Sequence, residues 1–362
     1  MKYLRILAGF VFATASIYGV LYIVEGIIDK RDLIGSVSIV AEKEESSASE
    51  DKKEEKASVL FVGDMMLDRN VYLLSERNGG SAYPFSAIED IFKGSDLKVG
   101  NLEGPMTDNE SLATKDMGTR FTINPSFAPE LGSRFNALSL ANNHTLDFGE
   151  DGLWQTRKNL HDNGIAYFGD YFNRGDNIST ILEHDGIKIG IAGYHALSEK
   201  GLETTLIDIK KLKETADVVI VMPHWGEEYK TVHNSSQEAL AKKFIEAGAD
   251  VVIGGHPHVI QDISIIEGKP VFWSLGNFIF DQYFSKETME GLTLKADFVR
   301  KENSKIEASF EIVPIAIGRD SRPFIMGRSK GQELIDGLSK RSDVPDDMKM
   351  MIDSKKVVFT VQ

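Results

Sequence analysis

Cysteine is absent from this 362-residue chain. That absence excludes structural disulfides, a thiolate zinc site, a cysteine nucleophile and a lipoprotein anchor. Positive charge is also in short supply: 41 Lys and Arg stand against 55 Asp and Glu, for a net charge of −14 at pH 7. A general electrostatic attraction to nucleic acid or to an acidic polymer is not expected from a chain of that sign. Internal repeats, a Gly-rich phosphate loop and a Ser nucleophile elbow are missing as well.

Long apolar runs are missing with one exception. Ile6 to Val24 is a stretch of nineteen uncharged, mostly apolar residues preceded by Lys2 and Arg5. Such a run is long enough to cross about 30 Å of hydrocarbon, and the positive-inside rule places the N-terminus in the cytoplasm and the rest outside. Ala13-Thr14-Ala15 resembles a signal-peptide cleavage site, but the apolar run continues past it, which favours an uncleaved anchor. The expected organisation is an anchor at residues 1–32, a charged disordered spacer at 33–57, and one extracellular domain at 58–362. The spacer reading rests on Glu42 to Lys56, which holds no apolar residue larger than Ala and cannot bury enough surface to fold.

Five short polar clusters each follow an apolar, strand-like run: Gly63-Asp64, Asn101-Leu102-Glu103, Asn142-Asn143-His144, Pro223-His224-Trp225 and His256-Pro257-His258. The runs before them are Ser58–Val62, Leu97–Val99, Asn136–Leu140, Val218–Met222 and Val251–Ile253. They read as buried strands joined by helical crossovers, hence a largely parallel sheet. Groups just past the carboxyl ends of parallel strands converge at one edge, where open α/β folds place ligands. Carboxylates, an amide and imidazoles gathered there suit Mn, Fe(II) or Zn better than Ca or Mg.

Each cluster alone has a plainer reading. Asp64 fits a turn or helix cap, Glu103 an ordinary loop carboxylate, His144 a tight-turn hydrogen bond and His224 a packed ring. His256 and His258 are stronger, because alternate residues of an extended segment share a face and Gly254-Gly255 permits close packing. His195 follows a strand and fits either an approach to the site or, more plainly, a packed or surface histidine. Arg69 and Arg120 lie near strand ends, and Asn277 and Asp281 fit either a site rim or a turn.

Six ordered segments carry a resemblance: Gly63-Asp64-Met65-Met66-Leu67, Asn101-Leu102-Glu103-Gly104, Ser139 to Asp147, His224-Trp225-Gly226-Glu227-Glu228-Tyr229, Gly254-Gly255-His256-Pro257-His258 and Ser274-Leu275-Gly276-Asn277-Phe278. Together they resemble the CapA family, the membrane-anchored component of poly-γ-glutamate capsule synthesis and export, itself similar to calcineurin-like metallophosphoesterases. The resemblance implies an α/β fold of layered β-sandwich type with flanking helices. It implies a divalent metal, one or two ions, with Asp64, Glu103, Asn143, His224, His256 and His258 as ligands. His144 resembles a general acid, and Arg69 and Asn277 are candidates to contact substrate. Poly-γ-glutamate and other membrane subunits of a synthase or export complex are the implied partners.

Two departures from the phosphoesterase pattern stand out. The first motif there is Asp-x-His, whereas position 66 here is Met, a poor partner for such ions. A bridging Asp is replaced by Asn101, so either Glu103 bridges from a shifted position or the bridge is lost. A membrane-anchored subunit with a divalent-metal site is therefore the leading expectation. The alternative is an extracellular hydrolase of phosphoester or polymer amide, using a metal-bound hydroxide with His144 as acid. A strand-end polar cluster without metal is the third reading.

Overall fold

A computed structural model of the protein describes residues 55–110 and 120–361. The apolar run at Ile6–Val24 and nearly all of the charged spacer lie outside the described residues. Among the described residues no helix is long and apolar enough to cross a membrane.

The chain first lays down four parallel strands, β1 (Lys56–Met65), β2 (Leu97–Leu102), β3 (Ala137–Ser139) and β4 (Ala166–Phe168), with helices α1 (Arg69–Arg77), α2 (Ala128–Gly132) and α3 (Gly149–Asp162) between them. A second sheet follows. In it β6 (Ile187–His195), β7 (Val218–His224), β8 (Val251–Ile253) and β10 (Lys269–Phe272) run parallel, flanked by antiparallel β5 (Ser179–His184) and β9 (Ile263–Ile266). Helices α4 (Leu202–Thr215) and α5 (Ser235–Ala247) are its crossovers.

The chain then returns to the first sheet. Strand β11 (Asn277–Ile279) pairs with the end of β1, while β12 (Glu290–Arg300), β13 (Ile306–Ile317), β14 (Pro323–Ile325) and β15 (Lys356–Val361) add an antiparallel half. Helices α6 (Arg328–Arg341) and α7 (Asp346–Asp353) precede β15.

The period-two alternation of side chains sorts the apolar residues into layers. Val59 and Phe61 of β1 join Val218, Ile220 and Met222 of β7 in one cluster, which also holds Leu294, Phe298 and Phe310. That cluster is the core between the sheets. Leu60 and Val62 point the other way, into a second cluster with Val71 of α1 and Leu153 and Leu160 of α3. Val219 and Val221 point into a third, with Ile209 of α4 and Phe244 of α5. The result is mixed α/β with two facing sheets; α1, α3, α4 and α5 pack on outer clusters, while α6 and α7 add Ile335, Leu338, Met348 and Ile352 to the core between the sheets. Each fully buried Phe or Ile contributes roughly 1.5–3 kcal/mol relative to exposure.

The five polar clusters converge, but from two sheets rather than along one edge. Gly63-Asp64 lies near the end of β1, Asn101-Leu102-Glu103 spans the end of β2 and Asn142-Asn143-His144 follows β3, while the other two end β7 and follow β8. At the key turn, β1 exchanges one neighbour for another: Phe61 is the last residue paired with β12, and Asp64 opens the pairing with β11. A side chain at Gly63 would put its Cβ 2.0 Å from the Gly276 oxygen, so only glycine admits this crossing.

Candidate metal centre

An amide chain ties the ends of the first three strands together. Asn101 donates to Asp64 Oδ1 at 2.8 Å, and Asn142 donates to Asn101 Oδ1 at 3.0 Å and to the Leu102 carbonyl at 2.9 Å. The other oxygen of Asp64 accepts from the backbone N–H of His256 at 3.0 Å. Asp64 is therefore fully buried and held on both sides, one of them belonging to the second sheet. In the sequence Asn101 and Asn142 stand out only as parts of motifs, with no sign of this positioning role.

Glu103 follows β2 and is fully buried, yet neither carboxylate oxygen has a hydrogen-bond partner among the described residues. His258 Nε2 lies 3.5 Å away and His144 Nε2 3.9 Å. His144 is oriented by Asp147, whose Oδ2 is 2.8 Å from its Nδ1, and its ring packs on Phe121 with centroids 4.0 Å apart. Asn143 places its Oδ1 2.8 Å from His224 Nε2.

His256 and His258 reach the centre by a different route from the one their spacing implied. The segment is not extended: φ is 92° at His256 and 56° at His258, left-handed values that ordinary side chains avoid. The two rings still converge, with centroids 5.9 Å apart, and His256 lies 4.7 Å from His224. His258 Nδ1 sits 3.0 Å from Asn277 Oδ1, which leaves Nε2 pointing toward Glu103. His256 Nδ1 is buried without a partner.

Burial dominates the electrostatics. It raises the pKa of Asp64 and pushes Glu103 well above the usual carboxylate range, helped by the negative charges of Asp64 and Glu228. Burial also holds His224 well below its ordinary value and lowers His256 and His258 to about 4. Neutral imidazoles with available lone pairs thus surround buried acids that lack a compensating cation. A divalent cation is the group this donor set fits. Two triads have ligand atoms within 4.8 Å of one another: Asp64, Glu103 and His224, and Glu228, His256 and His258.

Other expected residues are placed differently. Arg69 forms an ion pair with Asp281 and lies over the rings of Phe121 and Phe280, so its charge is already matched. Arg120 stacks over Phe148. Asn277 is fully buried and directs its amide at His258, Gln282 and Thr288, which makes it a support for His258 rather than an exposed rim group. Met66 is buried, its sulfur 3.1 Å from the backbone N–H of Asp68. His195 comes nearer than its sequence implied: it is opposite His224 in the β6–β7 register, with ring centroids 6.3 Å apart. Glu228 was not singled out at all, although it lies inside the segment His224 to Tyr229.

Comparison with known proteins returns the same family as these motifs. The chain is 31% identical over 277 residues to "PGA biosynthesis protein CapA" of Bacillus subtilis, covering 72% of this chain and 71% of that one. It is 30% identical over 292 residues to "Capsule biosynthesis protein CapA" of Bacillus anthracis, covering 75% and 70%. A solved structure of a hypothetical protein from Thermus thermophilus aligns with a TM-score of 0.44 at 17% identity, over 74% of this chain and 98% of that one. The family described as "Bacterial capsule synthesis protein PGA_cap" matches residues 58–282, well over half of the sequence, and the chain belongs to it.

Proposed function

We propose that this protein is a component of poly-γ-glutamate capsule synthesis or export that carries a divalent-metal centre of metallophosphoesterase type at the meeting of its two sheets. The observation that carries the metal is Glu103, a fully buried carboxylate with both oxygens unpartnered and imidazole nitrogens 3.5 and 3.9 Å away. Leaving such a group unpaired costs more than most sites tolerate, and a cation removes the cost. Asp64, Glu103 and His224, with the Asn143 amide oxygen beside His224, would hold it; Mn, Fe(II) or Zn suits these donors. The capsule role is supported by the similarity to the two Bacillus CapA proteins.

The proposed setting is the outer face of the cell membrane, with the run at Ile6–Val24 as a single-pass anchor and the N-terminus cytoplasmic. Other membrane subunits of the synthase are the proposed partners. Elemental mass spectrometry on the purified full-length protein tests the metal. About one or two equivalents of transition metal are expected, lost in the His224→Ala/His256→Ala double variant. Absence of metal from the parent after loading with Mn or Zn would remove the centre and leave a scaffold.

A second reading, a hydrolase, is favoured by His144. Asp147 accepts from its Nδ1 and fixes the ring, leaving Nε2 on the side of Glu103 to deliver a proton to a leaving oxygen. When bound, the cation supplies Lewis-acid polarisation of a phosphoryl or carbonyl oxygen. Turnover lost in His144→Ala with metal content unchanged supports this reading. Normal polymer output from cells carrying that variant counts against it.

A further inference from the structure

The first triad accounts for only half of the ligand atoms at this centre. His256 Nδ1 is buried without a partner, and His258 Nε2 is left over once Asn277 has taken Nδ1. Both rings face Glu228, which sits on the loop between β7 and α5, outside the five strand-end clusters. Its carboxylate lies within 4.8 Å of nitrogens of both imidazoles. Ligands bound at about 2.0–2.2 Å to a common cation are themselves about 3–4.4 Å apart, so only a small closure is needed.

The loop that carries Glu228 is fixed rather than free. The N–H of Tyr229 donates to the Pro257 carbonyl at 2.8 Å, which clamps the loop to the residue between the two histidines. Tyr229 is itself left-handed, φ 65°, a conformation retained only where the surroundings over-determine it. Further along, Gln261 donates to the carbonyls of Lys230 at 3.0 Å and Val232 at 3.3 Å. His233 then stacks on Trp273, ring centroids 3.9 Å apart, and pairs with Asp262 at 2.8 Å. Gly226 sits at φ 84°, in the left-handed region that favours glycine.

We propose that Glu228 is a metal ligand that completes a second cation position with His256 and His258, in place of the donor that Met66 does not provide. This rests on the divalent-metal reading above. Met66 is turned into the core with its sulfur against the Asp68 N–H, and offers the centre no donor, whereas Glu228 offers a carboxylate beside His256 and His258. The charges agree: three carboxylates, Asp64, Glu103 and Glu228, face two divalent cations better than one. Glu228 is exposed while Asp64 and Glu103 are fully buried, so the second position exchanges its ion more readily than the first.

Mn(II) alone is the probe, titrated into metal-stripped full-length protein and followed by the loss of the free Mn(II) electron-paramagnetic signal and by the coupling between bound ions. The parent is expected to take two ions with distinct affinities and to show spin coupling. Glu228→Gln should keep the tighter ion, weaken the other by about tenfold or more and lose the coupling. Glu227→Gln, whose carboxylate faces Asn234 at 3.5 Å, should match the parent. Two coupled ions with unchanged affinities in Glu228→Gln would overturn the assignment while leaving the metal centre intact. An equal loss in Glu227→Gln would overturn it by making the effect one of general loop charge. A parent that takes up no Mn(II) would overturn this assignment together with the reading beneath it.

Discussion

Asp250 and Glu103 are both buried carboxylates at sheet ends, and they are treated in opposite ways. Asp250 accepts from Lys213 at 2.9 Å through both oxygens, from Lys269 at 2.8 Å and from the Val219 N–H at 2.9 Å. Glu103 accepts from no donor among the described residues. A buried charge is retained when it is paired, so Asp250 holds the second sheet together and explains itself. Glu103 explains itself only through a ligand. Burial alone does not mark a functional acid; burial without a partner does.

The sharpest way to break this comparison is to remove each charge in turn from metal-stripped protein and measure urea unfolding. Asp250→Ala should cost roughly 3–5 kcal/mol, because it strands two lysines and a backbone donor, while metal uptake by the folded fraction stays unchanged. Glu103→Gln should raise metal-free stability at neutral pH, since Gln stands in for the protonated acid that burial enforces, and should abolish tight metal retention. Similar losses from the two substitutions would show that Glu103 is merely structural.

Acid titration of the metal-free protein sharpens the same contrast. His256 has its pKa lowered from 6.5 to about 4, so between those values the unfolded chain binds the proton and the folded chain does not. Stability must therefore fall as pH falls from about 6.5 to 4, by roughly 3 kcal/mol from this residue alone. His258 and His224 act in the same direction. Glu103 acts in the opposite one: its raised pKa keeps a proton in the folded state above pH 4.5 that the unfolded chain releases. Glu103→Gln deletes that opposing contribution, so its loss of stability on acidification should be steeper than the parent's, by up to about 1.4 kcal/mol per pH unit. An identical slope in guanidine or urea titrations at pH 5 and 6 would contradict the buried, proton-holding Glu103.

Much of this arrangement was legible in the chain because strands buried on both faces announce themselves. Val218–Met222 and Val251–Ile253 read directly as strands, and their polar ends as a site. Helix α5 begins at Ser235, where Asn234 and Gln237 form a capping box whose spacing is visible in the chain. Strand β12 announces itself, since Leu292, Leu294, Ala296 and Phe298 alternate with Thr293, Lys295 and Asp297, but its partner β1, more than two hundred residues away, is not legible. Strand β13 runs through Pro314 to Ile317, with Pro314 opposite Leu292, where a proline ordinarily argues against a strand interior. The left-handed backbone of His256 and His258 carries no sequence signal, since histidine there is a cost that the packing of Gly254 and Gly255 imposes. Glu228 is one of two adjacent acids, and nothing local says which of them faces the imidazoles.

The smallest effect expected comes from glycine, and it separates the site from the scaffold. A Cβ on Gly255 would lie 2.7 Å from Asp64 Oδ1, although the backbone angle itself permits alanine. Asp64 cannot retreat freely, since that oxygen accepts from Asn101 and its other oxygen from the His256 N–H. Gly255→Ala should therefore cost about 1–2 kcal/mol and weaken metal binding as well, because the carboxylate must turn and break one of those bonds. Gly331 of α6 offers the control: its Cβ would meet nothing closer than 3.6 Å in a helical backbone. Gly331→Ala should raise stability by about 0.5–1 kcal/mol and leave metal uptake alone, which differential scanning calorimetry and a metal titration measure side by side. If Gly255→Ala instead matched Gly331→Ala in both readouts, Asp64 would have room to move, and the claim that the two sheets hold it from both sides would fail.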